Sequence, residues 1–485
     1  MTKRPLPVGR LIASLLVVVL ASGCAGSVPT ASGPGRLPGS TTGPSVTITI
    51  EPTSSPSFVP LPTPSAAGPS PSIAIPKPGP DGTAYLKANV ARSAAKPAAA
   101  KSAAAAVNAF AADLYRRLPA GKNVVFSPAS IAIALGMTRP GARGETATQI
   151  DAVTRNIASD DHAAWINALD RAVRSRNAGF KDSQGSIKRI VLTIANAAFA
   201  QRDYPFEYAY LVALAQRYGS GIRLVDFKAD PAAARRAINA WVKARTTDRI
   251  KQLLGPADVT TNSRLVLANA IYLKAPWAVP FRPKETSPGI FHRMSGSPVT
   301  VPMMHGEILD GSFVYASGKG WQAAERAYVG AQLAMTIIVP DNLTTFESHL
   351  TPALLSRIDA SLKVQAGEIW LPKFSIDTKT KLGTILEAMG MPAALDPATA
   401  DFSGIANPAV TGEPLYITKV VHQANIDVDE KGTEAAAATA VELGAGGGPE
   451  RWVSFHVDRP FIFLVRDVPT GAILFMGRVA DPSIR

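Results

Sequence analysis

Cysteine is all but missing from this chain, with one in 485 residues. That single thiol excludes an internal disulfide framework and any cysteine-rich metal site. Histidine is also scarce, and its six copies form no ligand-spaced cluster, so no metal and no cofactor is expected. Gly-x-Ser-x-Gly, His-Glu-x-x-His and a phosphate-binding glycine loop are absent, which argues against a hydrolase and, more broadly, against an enzyme. Lys and Arg exceed Asp and Glu by 50 − 37 = 13, yet no basic cluster is interleaved with aromatics. The excess therefore gives no footprint for nucleic acid.

What is present is unevenly spread. Of the 40 prolines, 15 lie between Ala25 and Ala100, so the first fifth of the chain differs in kind from the rest. Lys3, Arg4 and Arg10 precede the apolar run Leu11 to Leu20, about half the roughly 20 residues a membrane-crossing helix needs. This predicts a signal peptide over 1–23. Ala21-Ser22-Gly23-Cys24 resembles the bacterial lipoprotein signal, although Ala21 stands where Leu is more usual. The expectation is lipidation at Cys24 and anchorage outside the cytoplasmic membrane, with simple secretion as the alternative. Residues 24–82 are rich in Pro, Ser, Thr and Gly, the composition of a disordered spacer. One folded domain is expected from 83 to 485, with its core starting near 101.

Within that domain Val107, Phe110, Ala111, Leu114 and Leu118 recur at helical spacing. Val124-Val125-Phe126 reads as a short strand, followed by a capping serine, Ser127, and a first-turn proline, Pro128. Val191 to Ala200 and Leu265 to Leu273 are apolar segments, each interrupted by one asparagine, Asn196 and Asn269. Pro231 to Leu254 reads as a helix. Strands are expected at Leu333 to Val339, Glu368 to Leu371, Leu415 to Val420, Phe461 to Arg466 and Ala472 to Gly477. Helices early and strands late give an α+β fold. The basic side chains Arg235, Arg236, Lys243, Arg245, Arg249 and Lys251 read as a solvated face, with a sulfated-polysaccharide site as the sharper alternative.

The stretch from Val428 to Phe455 is too long for a turn. Alternate residues place Thr433, Ala435, Ala437, Thr439, Val441 and Leu443 on one face, and Glu434, Ala436, Ala438, Ala440 and Glu442 on the other. That period of two belongs to a strand, and no proline between Asp429 and Gly448 interrupts it. A loop able to become a strand with one buried face is implied.

These pieces together resemble the serpins, serine-protease inhibitors that trap their target by a conformational change. The resemblance runs from about Val107 to Ile484. It rests on Asn123 to Gln149, Ile238-Asn239-Ala240-Trp241-Val242, Leu265 to Lys274 with Trp277 and Phe281, and Val301-Pro302-Met303-Met304. It continues through Leu371-Pro372-Lys373-Phe374, Val421-His422-Gln423-Ala424, Glu430 to Thr439, and Asp458-Arg459-Pro460-Phe461-Ile462-Phe463.

The resemblance implies about nine helices, three sheets, an exposed reactive loop and a five-stranded central sheet that opens to accept the cleaved loop. Glu430, Gly432, Thr433 and the small residues Ala435, Ala436, Ala437 and Ala438 match the hinge of inhibitory members. Ser127, Ser130, Asn269 and His422 match polar positions under the opening sheet. Glu430 and Lys373 match an ion pair where insertion begins, beside Trp277. Counting from the hinge places the cleaved bond at Gly446-Gly447, with Leu443-Gly444 as second choice; counting back from the Phe455 anchor places it near Pro449. Small residues there point to an elastase-like or subtilisin-like protease as partner. A monomer is expected, and the competing reading is a non-inhibitory serpin acting as a surface binding or adhesion module.

Overall fold

The computed structural model of the chain describes residues 75–157, 159, 163–181, 186–433 and 452–484. The signal peptide, Cys24 and all but the end of the spacer lie outside them. So do Ala435 to Ala438, Leu443, Gly444, Gly446 and Gly447.

An alanine-rich helix, Pro97–Tyr115, starts with proline in its first turn and buries Val107, Phe110, Ala111 and Leu114 completely. After the strand Val124–Phe126, Ser127 caps the helix Pro128–Thr138, its side chain accepting from the Ser130 amide at 3.2 Å. Every residue of that second helix is buried, which places it through the middle of the core. The expected long helix from Pro231 ends earlier, at Arg245. Thr247 and Asp248 take positive φ angles of 51° and 62°, and the Thr246 hydroxyl donates to the Val242 carbonyl at 2.9 Å, closing the last turn.

The central sheet has seven strands rather than five. In spatial order they are Ala84–Leu86, Ile222–Val225, Val191–Gln201, Leu265–Pro276, Gly432–Thr433, Ile417–Asp429 and Phe374–Lys381. The two additions are both short. Ala84–Leu86 comes from the segment before the first helix and pairs antiparallel with Ile222–Val225 at one edge. Gly432–Thr433 is the start of the hinge, seated between two long strands.

A nine-stranded sheet packs beneath, running from Trp452–His456 through Lys363–Pro372, Val299–Gly318, Trp321–Ala327, Leu333–Pro340, Phe461–Asp467 and Ala472–Val479 to Val124–Phe126. Ser287–Phe291 pairs with the twenty-residue strand Val299–Gly318 off that path. A two-stranded hairpin, Gly179–Lys181 with Ile187–Arg189, is the third sheet. With ten α-helices among the described residues, one more than anticipated, the architecture is the expected α+β type. The extra helix is one of several short ones, such as Leu343–Ser348, whose single turns carry no helical periodicity to read.

The edge strand is tied down by side chains. The Arg223 guanidinium donates to the Thr83 hydroxyl at 2.8 Å and pairs with Asp81 at 3.2 Å, while Arg92 pairs with Asp170 at 2.8 Å. Gly221 lets the two backbones meet, since a Cβ there would lie 2.2 Å from the Leu86 carbonyl oxygen. Gly221→Val should therefore peel residues 84–87 from the sheet, at a cost of about 1–3 kcal/mol. The expected result is rapid trypsin cleavage after Lys87 in the variant and resistance in the parent, read by limited proteolysis.

Candidate functional site

The central sheet carries a polar row across three adjacent strands. Asn196, Asn269 and His422 are register partners on Val191–Gln201, Leu265–Pro276 and Ile417–Asp429. Each interrupts an apolar strand, so each needs a hydrogen-bond partner inside the core. The helix Pro128–Thr138 supplies it. Ser130 Oγ donates to Asn196 Oδ1 at 2.9 Å and accepts from Asn269 Nδ2 at 2.7 Å, and Asn196 Nδ2 donates to the Ser130 carbonyl at 2.9 Å. His422 closes the chain, with Nδ1 bonded to Asn269 Oδ1 and Nε2 accepting from the Ser127 amide at 3.0 Å.

The Ser127 amide can only donate, so His422 Nε2 must carry a lone pair and the proton sits on Nδ1. Burial pushes the His422 pKa down from 6.5 to about 3, consistent with a neutral ring. All four predicted members, Ser127, Ser130, Asn269 and His422, are fully buried and joined in one network. Asn196 belongs with them. Its signal was present in the sequence as a lone asparagine in an apolar strand, but only the strand register puts it opposite Asn269.

A second cluster surrounds the hinge. The strands Leu265–Pro276 and Ile417–Asp429 pair in parallel from Ile417 to Ala424 and then separate. Gly432 and Thr433 fill the mouth of that fork, opposite Pro276 and Ala275 on one side and Asp429 and Val428 on the other. The hinge is thus not exposed at its start: Glu430 is 7% exposed and Thr433 is 1% exposed. Gly432 has φ 145°, and a Cβ there would lie 2.3 Å from the Ala275 carbonyl oxygen, so only glycine fits.

Thr433 Oγ1 lies 2.6 Å from Tyr328 Oη, and burial keeps that phenol protonated by pushing it well above its ordinary range. Tyr328 stacks on Trp277 at 4.6 Å between centroids. Trp277 in turn holds the turn before the hinge, its Nε1 donating to the Asp429 carbonyl at 3.0 Å and its amide to the Lys431 carbonyl at 2.9 Å.

Lys373 Nζ lies 2.7 Å from Glu430 Oε1, to which the Thr286 hydroxyl also donates at 2.8 Å. Burial alone would raise the Glu430 pKa, but the Lys373 ammonium and the Thr286 hydroxyl outweigh it and hold the carboxyl below its usual range. The structure therefore brings Trp277, Lys373 and Glu430 together, and adds Tyr328 and Thr286. Neither addition stands in a motif, because each is recruited from a distant strand or loop. At the far end of the loop, Trp452–His456 pairs in parallel with Lys363–Pro372, Phe455 is fully buried, and Ser454 Oγ donates to Glu368 Oε1 at 2.7 Å.

The polar row makes a pH prediction. The His422 pKa is depressed in the folded state, so its contribution is fully present above about 6.5 and is lost as pH falls towards about 3. Native stability should fall across that window by on the order of 1 kcal/mol per pH unit from this group alone. Urea unfolding at pH 7 and pH 5 should give a steeper pH dependence for the parent than for His422→Asn, whereas parallel dependences would remove His422 as the cause.

Known proteins resemble this chain in sequence and fold. The serpin family model, described as serine protease inhibitor, matches residues 105–482. A serpin-like protein of Thermococcus kodakarensis is 39% identical over 383 residues, covering 78% of this chain and 85% of its own. Plasminogen activator inhibitor 1 of Bos taurus is 33% identical over 368 residues, covering 74% of this chain and 87% of its own. The thermophilic serpin tengpin in its native state superposes with a TM-score of 0.71 at 26% identity, over 82% of this chain and 97% of tengpin. Uncleaved ovalbumin superposes with a TM-score of 0.68 at 25% identity, over 78% of this chain and all of ovalbumin. With a family match over most of its length and the fork, hinge and polar row in place, the chain belongs to the serpin family, whose members are in general inhibitors of serine proteases.

Proposed function

We propose that this serpin is an inhibitory member that acts outside the cytoplasm and traps an elastase-like or subtilisin-like serine protease. The observation that carries the reading is Gly432–Thr433 lying in the fork between Leu265–Pro276 and Ile417–Asp429. A protease that attacks the loop forms an acyl-enzyme, and the freed hinge side continues down the sheet as a new strand. Thr433 faces the core, so a period of two carries Ala435, Ala437, Thr439, Val441 and Leu443 onto the same buried face. Small side chains there meet little steric resistance. Insertion must part Ile417–Asp429 from Leu265–Pro276, which breaks the bond between His422 and Asn269. The protease, still acylated, is carried along and distorted before it can deacylate.

Cleavage at Gly446-Gly447 gives an inserting strand of seventeen residues counted from Glu430, with Leu443-Gly444 as the second site. The rest of the proposal concerns placement. Cys24 is the lipidated N-terminus, and the proline-rich spacer holds a monomeric inhibitor away from the membrane. Cys24→Ala should release the protein from the membrane fraction into the medium.

Mixing the protein with elastase or subtilisin should give a covalent complex that survives boiling in detergent. Cleaved serpin with fully active protease would instead favour the non-inhibitory surface module. Thr433→Arg puts an unpaired charge in the mouth of the fork, where Thr433 is already buried, at a cost of several kcal/mol that expels the hinge and bars the first step of insertion. That variant should still be cleaved but form no stable complex, and loop cleavage should raise the melting temperature of the parent only. Retained inhibition by Thr433→Arg would overturn the assignment of the buried face.

A further inference from the structure

The edge of the central sheet away from the hinge holds a cleft of about 520 Å3, within the roughly 300–1,000 Å3 usual for small-molecule sites. Four guanidinium groups line it, from Arg92, Arg174, Arg223 and Arg245, together with the rings of Tyr85 and Trp241. Two carboxylates answer them: Asp170 pairs with both Arg92 and Arg174 at 2.8 Å, and Asp81 pairs with Arg223 at 3.2 Å. Among the described residues Arg245 has only the Trp241 ring, 5.7 Å away. The cleft is therefore cationic by two charges.

Trp241 is an independent witness. It is 6% exposed, and its Nε1–H is buried without an acceptor. An orphaned buried donor is destabilising, and a native protein carries few of them. Arg223 is sandwiched between the Tyr85 ring at 5.0 Å and the Trp241 ring at 5.2 Å, and its partial burial depresses its pKa. Both features are relieved by an anion, whose oxygens accept from the indole and whose charge offsets the guanidinium groups.

We propose that this cleft is a binding site for a small phosphoryl anion, a pyrophosphate or phosphate ester held by Arg223, Arg245 and the Trp241 indole. Guanidinium forks suit phosphoryl oxygens through paired donors. The size of this half-open cleft suits a compact ligand better than an extended polysaccharide. Arg235, Arg236, Lys243, Arg249 and Lys251 lie outside the lining, and three of them are already occupied, Arg236 by Asp230, Lys243 by Asp248 and Arg249 by Asp427. A bound anion would join two parts of the molecule, the sheet through Arg223 and the helix Pro231–Arg245 through Arg245 and Trp241.

The test is calorimetric titration of the full chain with sodium pyrophosphate at constant ionic strength, paired with thermal melts. Saturable one-site binding and a melting temperature that rises with the logarithm of pyrophosphate concentration are expected. Arg245→Glu should weaken binding at least tenfold without lowering the melting temperature in chloride buffer. Trp241→Phe should weaken it about tenfold, and Arg235→Glu, on the same helix but outside the cleft, should bind as the parent does. Absence of saturable binding would overturn the proposal. Equal weakening by Arg245→Glu and Arg235→Glu would also overturn it, since that is the signature of diffuse surface attraction.

Discussion

One buried hydrogen-bonded row governs this molecule: Asn196, Asn269 and His422, laid across three strands and braced by Ser127 and Ser130. Its strength comes from its surroundings. In the low dielectric of the core each bond is worth more than in water, and each broken bond leaves a donor or acceptor with no solvent to turn to. In the proposed insertion the parallel pairing of Leu265–Pro276 with Ile417–Asp429 is a latch whose release has a defined cost. His422 bonds both to Asn269 on the neighbouring strand and to Ser127 on the helix below, so parting the strands severs one bond and leaves the other.

The hinge sits where, in that proposal, the latch would open. The two central strands separate beyond Ala424, and Gly432–Thr433 is already paired on both sides at the mouth. The fork is propped rather than empty. Tyr328 and Trp277 hold Thr433 and the preceding turn by side-chain bonds, and Lys373 holds Glu430, so the start of the hinge is fixed in the uncleaved protein. In the proposed mechanism strand entry is extension of an existing pairing. It avoids nucleating a new one, which is the slow part of forming any ladder at a distance.

The fold and much of this site were legible in the sequence, for reasons that differ by element. The strands around Asn196 and Asn269 announced themselves by apolar runs with single polar breaks, and the cap at Ser127 by its chemistry, while the strand expected at Leu415 to Val420 stopped short of His422, which lies inside Ile417–Asp429. The hinge was legible because Gly432 and the alanines have a conformational and steric cause. What stayed hidden needed the third dimension. Tyr328, Thr286 and Asn196 sit in unremarkable local sequence and gain their roles only from neighbours far along the chain. The end of the helix at Arg245 was misjudged because Arg249 to Leu254 continues a plausible pattern, and only the positive φ angles of Thr247 and Asp248 break it. The short strand Ala84–Leu86 followed a proline-rich run and carried no periodicity of its own.

That short strand has a bearing on solubility. A sheet that accepts an extra strand, as proposed for this one, is also at risk of accepting one from another molecule along its borders. Here one border ends in three residues, too few to template a ladder, and is clamped by Asp81 and Thr83 to Arg223. The opposite border, Phe374–Lys381, carries Asp377, Lys379 and Lys381, whose charges disfavour an incoming hydrophobic strand. In the proposed mechanism receptivity is thereby confined to the interior fork, where Gly432–Thr433 is already seated.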